Sequence, residues 1–148
     1  ILIKKFLIYL KINPRVSLKD FIQTHYHRPK NTEITMMTFD TLKPKECGIV
    51  ELDTNNIVRK FHEKVQFPPG SLANGAVYIF ERNVIDFINM KDNIKDISTE
   101  LLPYFLGKIV TFKNKICHID IGTLSSLEMG NSVFSQNRKK FKKIVRLT

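Results

Sequence analysis

The sequence predicts an α/β protein with a mixed, mainly parallel sheet, on three observations. Two apolar runs, Phe6–Tyr9 and Ala73–Phe80, are typical of strands that are buried on both faces of a sheet. A helical pattern over residues 18–25 lies between the first run and a strand-like segment at Ile34–Phe39, an order that favours a right-handed crossover between parallel strands. Residues 48–63 read as strand, turn and strand, which predicts a hairpin.

The first helix is expected to begin after Ser17, which together with Asp20 resembles a capping box. Its apolar residues recur at helical spacing, and Pro29 ends it. His25 and His27 have no second ligand at a fitting distance along the chain. We interpret both histidines as solvated residues at the helix end.

The hairpin is expected to join Gly48–Asp53 to Ile57–Glu63 through the turn Thr54–Asn56. The apolar run that follows is interrupted by Asn74, and its apolar character predicts the central strand of the sheet.

Two helices and a second hairpin are expected after this strand. The first helix covers Arg82–Asn89, and Ser98 is expected to cap the second, which Gly107 closes. Ile109–Lys113 and Ile116–Ile121 are expected to pair as the second hairpin.

A chain of 148 residues with 43% hydrophobic and 26% charged residues is typical of a single globular domain. We expect a domain at residues 1–131 and a basic tail at residues 132–148. Six basic residues of the tail supply six of the ten net positive charges, which leaves +4 for the rest of the chain. A nucleic-acid-binding domain more often carries its charge on one face among exposed aromatic residues. We therefore interpret the tail as a solvated, helical terminus, with weak binding to polyanions as the alternative.

No apolar run approaches the length of about 20 residues that a membrane span needs. Three lysines interrupt residues 1–12, which we interpret as a strand, with a signal peptide as the weaker alternative. Cys47 and Cys117 lack the spacing of metal ligands, and reduced core thiols are typical of a cytoplasmic protein.

Four polar features interrupt the apolar strands and form the candidate site. Gly48 opens a strand, where a bare backbone allows a ligand to approach closely. Glu63 and Lys64 end the second hairpin strand as a charged pair, and both can reach one ligand only if the strand ends or kinks there, because neighbouring strand residues point to opposite faces. Asn74 opens the central strand. Asp120 ends the last strand, where open α/β sheets hold their ligands.

Each feature also has an ordinary structural interpretation: a bulge, a surface ion pair, a turn amide and an Asp that caps a turn. For Asp120 the capping role and a metal-ligand role are equally compatible with the local pattern. Taken together, the four features suit a phosphorylated, hydroxyl-rich ligand.

Five short segments also carry a resemblance to a known family. They are CGIVELD at 47–53, FHEK at 61–64, LANGAVYIF at 72–80, DISTELLP at 96–103 and IDIGT at 119–123. In this order they resemble the sugar-phosphate nucleotidyltransferases. The chain looks like the C-terminal part of a nucleoside-diphosphate-sugar pyrophosphorylase of the mannose-1-phosphate guanylyltransferase or glucose-1-phosphate thymidylyltransferase kind, over about residues 17–131.

The resemblance implies a Rossmann-like nucleotide-diphospho-sugar transferase fold, truncated at the N-terminus, and a reaction that joins a sugar 1-phosphate to a nucleoside triphosphate with release of pyrophosphate. It implies that Gly48, Glu63 and Asn74 hold the sugar hydroxyls. It also implies two catalytic residues: Lys64, which binds the sugar phosphate, and Asp120, which coordinates Mg²⁺. Lysine is a common point-charge partner for phosphate, and Mg²⁺ prefers carboxylates together with phosphate oxygens.

Two features of the family are missing from the 148 residues. The glycine-rich phosphate loop, with its Gly-Thr-Arg signature and following Lys, does not occur, and Leu10–Arg15 holds no carboxylate where the family has its second magnesium ligand. We therefore expect a chain that keeps the sugar-phosphate side and lacks activity alone. The alternatives are a non-catalytic subunit or binding module that completes its sheet with a partner chain, and a basic polyanion-binding module. Association is expected either as a homo-oligomer or with a partner chain.

Overall fold

The computed structural model of the protein describes residues 18–91 and 93–115, together with the single residues 128 and 132. The elements with defined bounds lie in one compact unit, residues 17–115. The strand predicted at Phe6–Tyr9, the strand predicted at Ile116–Ile121 with Asp120, and nearly all of the basic tail lie outside the described residues.

Two α-helices and five strands have defined bounds in the described part of the chain. In order they are α1 (Leu18–Tyr26), β1 (Ile34–Asp40), β2 (Gly48–Leu52), β3 (Val58–Glu63), β4 (Leu72–Phe80), α2 (Arg82–Met90) and β5 (Ile109–Lys113). Short helical turns at Pro44–Glu46, Ile97–Leu101 and Leu102–Phe105 lie between them.

The five strands form one mixed sheet in the order β3-β2-β4-β1-β5, so the apolar strand β4 is central as predicted. The hairpin of β2 and β3 is confirmed, and β4 runs antiparallel to both β2 and β1. β1 and β5 pair in parallel. Among these four pairings the antiparallel ones predominate, whereas the sequence predicts a mainly parallel sheet. The reason is that β4 returns antiparallel between its two neighbours instead of following a crossover.

Helical segments cover the sheet on both faces. On one face Ile34 and Met36 of β1 join a buried core with Val84 of α2 and with Leu101 and Phe105 of the turns that follow. On the other face α1 packs through Phe21, whose ring lies 5.6 Å from that of Phe112 in β5. The predicted α/β class is therefore confirmed, with the sheet as the middle layer. No helix within the described ranges is long and apolar enough to span a membrane.

The segment after residue 95 differs from the predicted second helix. It forms a π-helical turn at Ile97–Leu101 and a 3₁₀ turn at Leu102–Phe105. Its cap is Asp96, whose carboxylate accepts the backbone N–H of Thr99 at 2.8 Å, so the prediction of Ser98 as the cap is wrong by two residues. Asp accepts such a bond as well as Ser does, and the local pattern allowed either register.

His25 is buried, and the interpretation of this residue as a solvated histidine is wrong. Its exposed fraction is 9%. Its Nδ1 lies 2.7 Å from the hydroxyl of Thr35, and its Nε2 lies 2.9 Å from a carboxylate oxygen of Glu81, which also pairs with Arg28. Both ring partners are distant in sequence, and a local pattern cannot reveal them. His27, two residues further along the chain, is exposed as expected.

The start of β3 also reaches β5, although these strands lie at opposite edges of the sheet. Ile57 forms an isolated bridge with Val110, and Thr111 donates its backbone N–H to the carbonyl oxygen of Asn56 at 3.0 Å. Gly107 donates to the carbonyl of Val58 at 2.8 Å and has φ of +82°, a conformation that glycine adopts without strain. The hairpin turn therefore curls over one end of the core.

We predict that His25 makes stability depend on pH. Burial lowers its pKa below 6.5 and the charge of Arg28 lowers it further, against the opposing effect of Glu81. In the window between the folded pKa and 6.5, the unfolded chain binds more protons than the folded chain does, so stability falls as the pH drops through about 6.5. The His25→Gln variant should lose less stability than the wild type between about pH 7.5 and 5.5, measured by urea unfolding.

The matched control is His27→Gln, which removes an exposed histidine from the same helix end and should keep the wild-type pH dependence. Parallel pH curves for the wild type and His25→Gln would contradict the prediction.

Candidate functional site

Glu63, Gly48 and Asn74 lie side by side on three neighbouring strands. Gly48 of β2 pairs directly with Glu63 of β3. The bridge between Ile49 and Ala73 puts Gly48 beside Asn74 of β4 in the adjacent register position. Residues that oppose each other in a ladder share a face of the sheet, so these three share one face. We call Glu63, Gly48 and Asn74 the polar row.

Gly48, in the middle of the polar row, has no side chain, and side chains of β3 fill the space above it. A Cβ atom added to it would lie 2.5 Å from the ring of Phe61 and 2.6 Å from a carboxylate oxygen of Glu63. The side chain of Glu63 therefore leans across β2 towards Asn74. Glycine is needed here because two neighbouring side chains occupy the space above its backbone, and not because of its own φ angle.

Lys64 lies beside Glu63 because the strand kinks at its end. Its φ is +47°, a left-handed conformation that is uncommon for a residue with a Cβ. This conformation interrupts the alternation of the strand, and the ammonium group of Lys64 lies 3.7 Å from a carboxylate oxygen of Glu63. The side chain of Lys64 is 66% exposed. The kink that the sequence analysis requires for both residues to serve one ligand is therefore present.

Asn74 is held by hydrogen bonds on both ends of its amide. Its Oδ1 accepts the backbone N–H of Ala76 at 2.9 Å. Its Nδ2 donates to the hydroxyl of Tyr78 at 2.6 Å and lies 3.4 Å from the hydroxyl of Ser98. Asn74 is thus more than the turn amide of the ordinary interpretation, because it connects the central strand to the segment that starts at Asp96.

Tyr78 brings the polar row and that segment into one electrostatic environment. Burial raises the pKa of Tyr78 to about 12, and the negative charges of Asp96 and Glu63 act in the same direction. Hydrogen bonds from Asn74 and Ser98 oppose the rise. The phenol therefore stays protonated at physiological pH.

A bulge in β4 makes the contact between Asn74 and Tyr78 possible. Two residues four apart in a regular strand are separated by about 13 Å. In β4 three residues, Gly75 to Val77, oppose the single residue Met37 of β1, because Thr38 pairs with Asn74 and Met36 with Tyr78. Within this bulge Ala76 has φ of +53°. The extra residues shorten the distance along the strand and direct both side chains to one place.

Sequence reasoning found Gly48, Glu63, Lys64 and Asn74, and the structure brings these four together. It missed Tyr78 and assigned Ser98 to a helix cap. Tyr78 has the same strand parity as Asn74, which was a usable signal for a shared face. The bulge that brings Asn74 and Tyr78 together could not be predicted in this way, because its left-handed residue is Ala76 and not a glycine.

The predicted magnesium ligand Asp120 lies outside the described residues. Among the residues that are described, no group of three or more His, Cys, Asp or Glu side chains is arranged to hold a metal ion. The polar row itself supplies one carboxylate and one amide. Its chemistry is therefore that of binding a polar ligand through acceptors and one exposed cation, Lys64.

The described residues thus form a mixed sheet covered by helices, with polar groups gathered at a kinked strand end. The family model described as nucleotidyl transferase matches residues 11–137 of this chain. The match covers well over half of the 148 residues. The chain belongs to the nucleotidyl transferase family.

Curated relatives point to the sugar-phosphate branch that the five segments indicated, and that resemblance is confirmed. A glucose-1-phosphate adenylyltransferase from Mycoplasma mobile is 29% identical over 124 residues, which is 77% of this chain and 32% of that protein. A mannose-1-phosphate guanylyltransferase from Mycobacterium tuberculosis is 29% identical over 111 residues, which is 72% of this chain and 31% of that protein. The chain spans about a third of the length of these curated relatives.

A solved structure supports the fold. It is a chain from Bacillus anthracis, provisionally assigned as a glucose-1-phosphate thymidylyltransferase and in complex with a sucrose. It aligns with a TM-score of 0.59 at 18% identity and covers 78% of this chain and 48% of its own. The nucleotide-sugar transferase fold expected from the sequence is therefore confirmed.

We predict that Gly48→Ala destabilises the protein and displaces Glu63. The new Cβ would overlap the Phe61 ring and the Glu63 carboxylate, and overpacking of this kind costs about 1–3 kcal/mol. Urea unfolding measures the loss. Gly70→Ala is the control, because a Cβ there meets no heavy atom within 4 Å, and it should change stability by less than about 0.5 kcal/mol. Equal effects of the two substitutions would contradict the proposed crowding at Gly48.

We predict that Ala76→Gly is neutral or stabilising, although glycine normally weakens a strand. The left-handed φ of +53° costs a residue with a Cβ about 1–2 kcal/mol, and glycine avoids that cost while losing about 0.5–1 kcal/mol of chain entropy. The expected net change lies between zero and about 1.5 kcal/mol of added stability. The buried Ala73 has no such φ, so Ala73→Gly should destabilise, and thermal unfolding of both variants compares them.

Proposed function

We propose that the polar row and Lys64 bind a sugar 1-phosphate. Glu63 and Asn74 accept hydrogen bonds from sugar hydroxyls, the glycine at position 48 leaves room for the Glu63 carboxylate to lie over β2, and the Lys64 ammonium group pairs with the phosphate. The observation that carries this proposal is the kink at Lys64, whose left-handed backbone turns an exposed cation to the same side as the Glu63 carboxylate. Sparsely populated backbone conformations of this kind concentrate at ligand-binding sites.

The reaction to which this site contributes is nucleotidyl transfer. A phosphate oxygen of the sugar 1-phosphate attacks the α-phosphorus of a nucleoside triphosphate, and pyrophosphate leaves. Such transfers depend on positioning and on charge neutralisation more than on covalent help from the protein. In this proposal the polar row orients the sugar, and Lys64 offsets the negative charge of the attacking phosphate, which would otherwise be repelled by the triphosphate.

The other parts of the reaction stay predictions. They are the Mg²⁺ ligand Asp120, the nucleoside triphosphate, and association as a homo-oligomer or with a partner chain. Pyrophosphate release from ATP, GTP, dTTP, UTP or CTP with a sugar 1-phosphate, measured with this chain alone and at an enzyme-like rate, would contradict the expectation that it lacks activity alone.

Lys64→Met tests the phosphate contact. A hydrogen bond between charged groups is worth about 1.5–3 kcal/mol, so the Kd for the sugar 1-phosphate should rise by about 10- to 100-fold. Isothermal titration calorimetry with glucose 1-phosphate and with mannose 1-phosphate measures it. The wild-type Kd should also rise with added salt, because the contact is exposed.

Lys60→Met is the matched control, since Lys60 is an equally exposed lysine on the same strand that pairs with Glu51 and not with Glu63. It should leave the Kd within a factor of about two. Wild-type protein that binds neither sugar phosphate, or a Lys64→Met variant that binds as well as Lys60→Met, would overturn the proposed function.

A further inference from the structure

The orientation of the Asn74 amide is fixed by chemistry as well as by geometry. A backbone N–H can donate a hydrogen bond but cannot accept one. The amide atom that lies 2.9 Å from the backbone nitrogen of Ala76 must therefore be the oxygen Oδ1. It follows that the nitrogen Nδ2 faces the hydroxyl of Tyr78.

This orientation leaves the amide with little capacity to donate to a ligand. Nδ2 has two hydrogens, and two hydroxyl oxygens lie within reach of it, that of Tyr78 at 2.6 Å and that of Ser98 at 3.4 Å. Oδ1 has two lone pairs, of which Ala76 occupies one. What remains for a ligand is an acceptor position on Oδ1.

The other side chain of the polar row, that of Glu63, is also a hydrogen-bond acceptor. The Glu63 carboxylate has no hydrogen to donate when it is ionised, and one of its oxygens lies over the Gly48 backbone. A ligand between Glu63 and Asn74 therefore meets acceptors on both sides. Buried or half-buried acceptors that lose their donor are costly, and this cost is the physical basis of discrimination.

We propose that Tyr78 and Ser98 are positioning residues that, together with the Ala76 N–H, hold the Asn74 amide as an acceptor, so that the polar row selects ligands that donate, namely sugar 1-phosphates with free hydroxyl groups facing Glu63 and Asn74. The inference rests on the proposed function and deepens it. Tyr78 itself is fixed by its ring, which stacks on Phe80 at 5.5 Å between ring centres. Its hydroxyl is thus held by the strand and cannot follow a reoriented amide.

Removing the Tyr78 hydroxyl should change selectivity and not only affinity. In Tyr78→Phe one hydrogen of Nδ2 loses its partner, and the Ala76 N–H alone opposes rotation of the amide. The amide can then turn and present Nδ2 as a donor to an acceptor on the ligand. A carbon-bound fluorine can accept such a hydrogen bond weakly but cannot donate one. Replacing a sugar hydroxyl by fluorine is therefore the appropriate probe.

The experiment compares glucose 1-phosphate and mannose 1-phosphate with their monofluoro-deoxy analogues by calorimetry. In the wild type, at least one analogue should bind about tenfold more weakly than its parent sugar phosphate. In Tyr78→Phe that ratio should fall to about twofold, because the analogue loses less. Ser98→Ala should reduce the ratio in the same direction and to a smaller extent, since its contact is longer. Tyr26→Phe, which changes an exposed tyrosine of α1, should keep the wild-type ratio.

A second readout does not depend on binding. The side-chain amide signals of Asn74 in a ¹⁵N–¹H correlation spectrum should be dispersed and protected from exchange in the wild type, and should move towards solvent-like positions in Tyr78→Phe and Ser98→Ala. Unchanged Asn74 signals in both variants would overturn the positioning role. A purely structural role would weaken parent and analogue equally, and an unchanged ratio would overturn the selection.

Different outcomes would overturn the proposed function and the inference about Tyr78 and Ser98. If the wild type binds neither parent sugar phosphate, the proposed function and the selection fall together, and the Asn74 signals alone judge the positioning role. If the parents bind and the ratio is the same in Tyr78→Phe, the proposed function stands and the inference fails. If Tyr78→Phe does not fold, Ser98→Ala gives the same comparison.

Discussion

The space above the Gly48 backbone is the constraint on which the rest of the site depends. Phe61 and Glu63 occupy the position that a Cβ at residue 48 would take. This contact brings the carboxylate of an edge strand over its neighbour and towards the central strand. The apolar ring of Phe61 belongs to the packing around the core, while Glu63 faces the candidate site. Because residue 48 has no side chain, Phe61, which packs against the core, and Glu63, in the candidate site, can both lie over β2.

The hairpin and the central place of β4 follow from patterns that are local in sequence. Apolar runs and the Thr54–Asn56 turn are short-range signals, and each predicted its element. The burial of His25 could not be predicted in this way, because its partners Thr35 and Glu81 belong to other elements. The hydrogen-bond partners of a buried histidine ring are set by how the elements pack. A helical pattern in the sequence holds no information about that packing.

The sequence predicted four residues of the candidate site, but it did not predict the contact between Asn74 and Tyr78. Gly48, Glu63, Lys64 and Asn74 are visible as polar interruptions of apolar strands. Tyr78 is not, because a tyrosine in a strand is ordinary, and its contact with Asn74 depends on a bulge. The left-handed residues at this site are Lys64 and Ala76, where glycine or asparagine would have given a signal. The backbone is shaped here by its surroundings, against local preference.

The bridge between the hairpin turn and β5 has a consequence for how the unit opens. Asn56, Ile57 and Val58 share hydrogen bonds or bridge contacts with residues 107–111, about fifty positions later in the chain. The amides at both edges of the sheet should therefore exchange with solvent as one cooperative group at this end, since neither edge can fray without releasing the other. The candidate site, with Gly48 and the Lys64 kink, lies at the opposite end of β3 from this bridge.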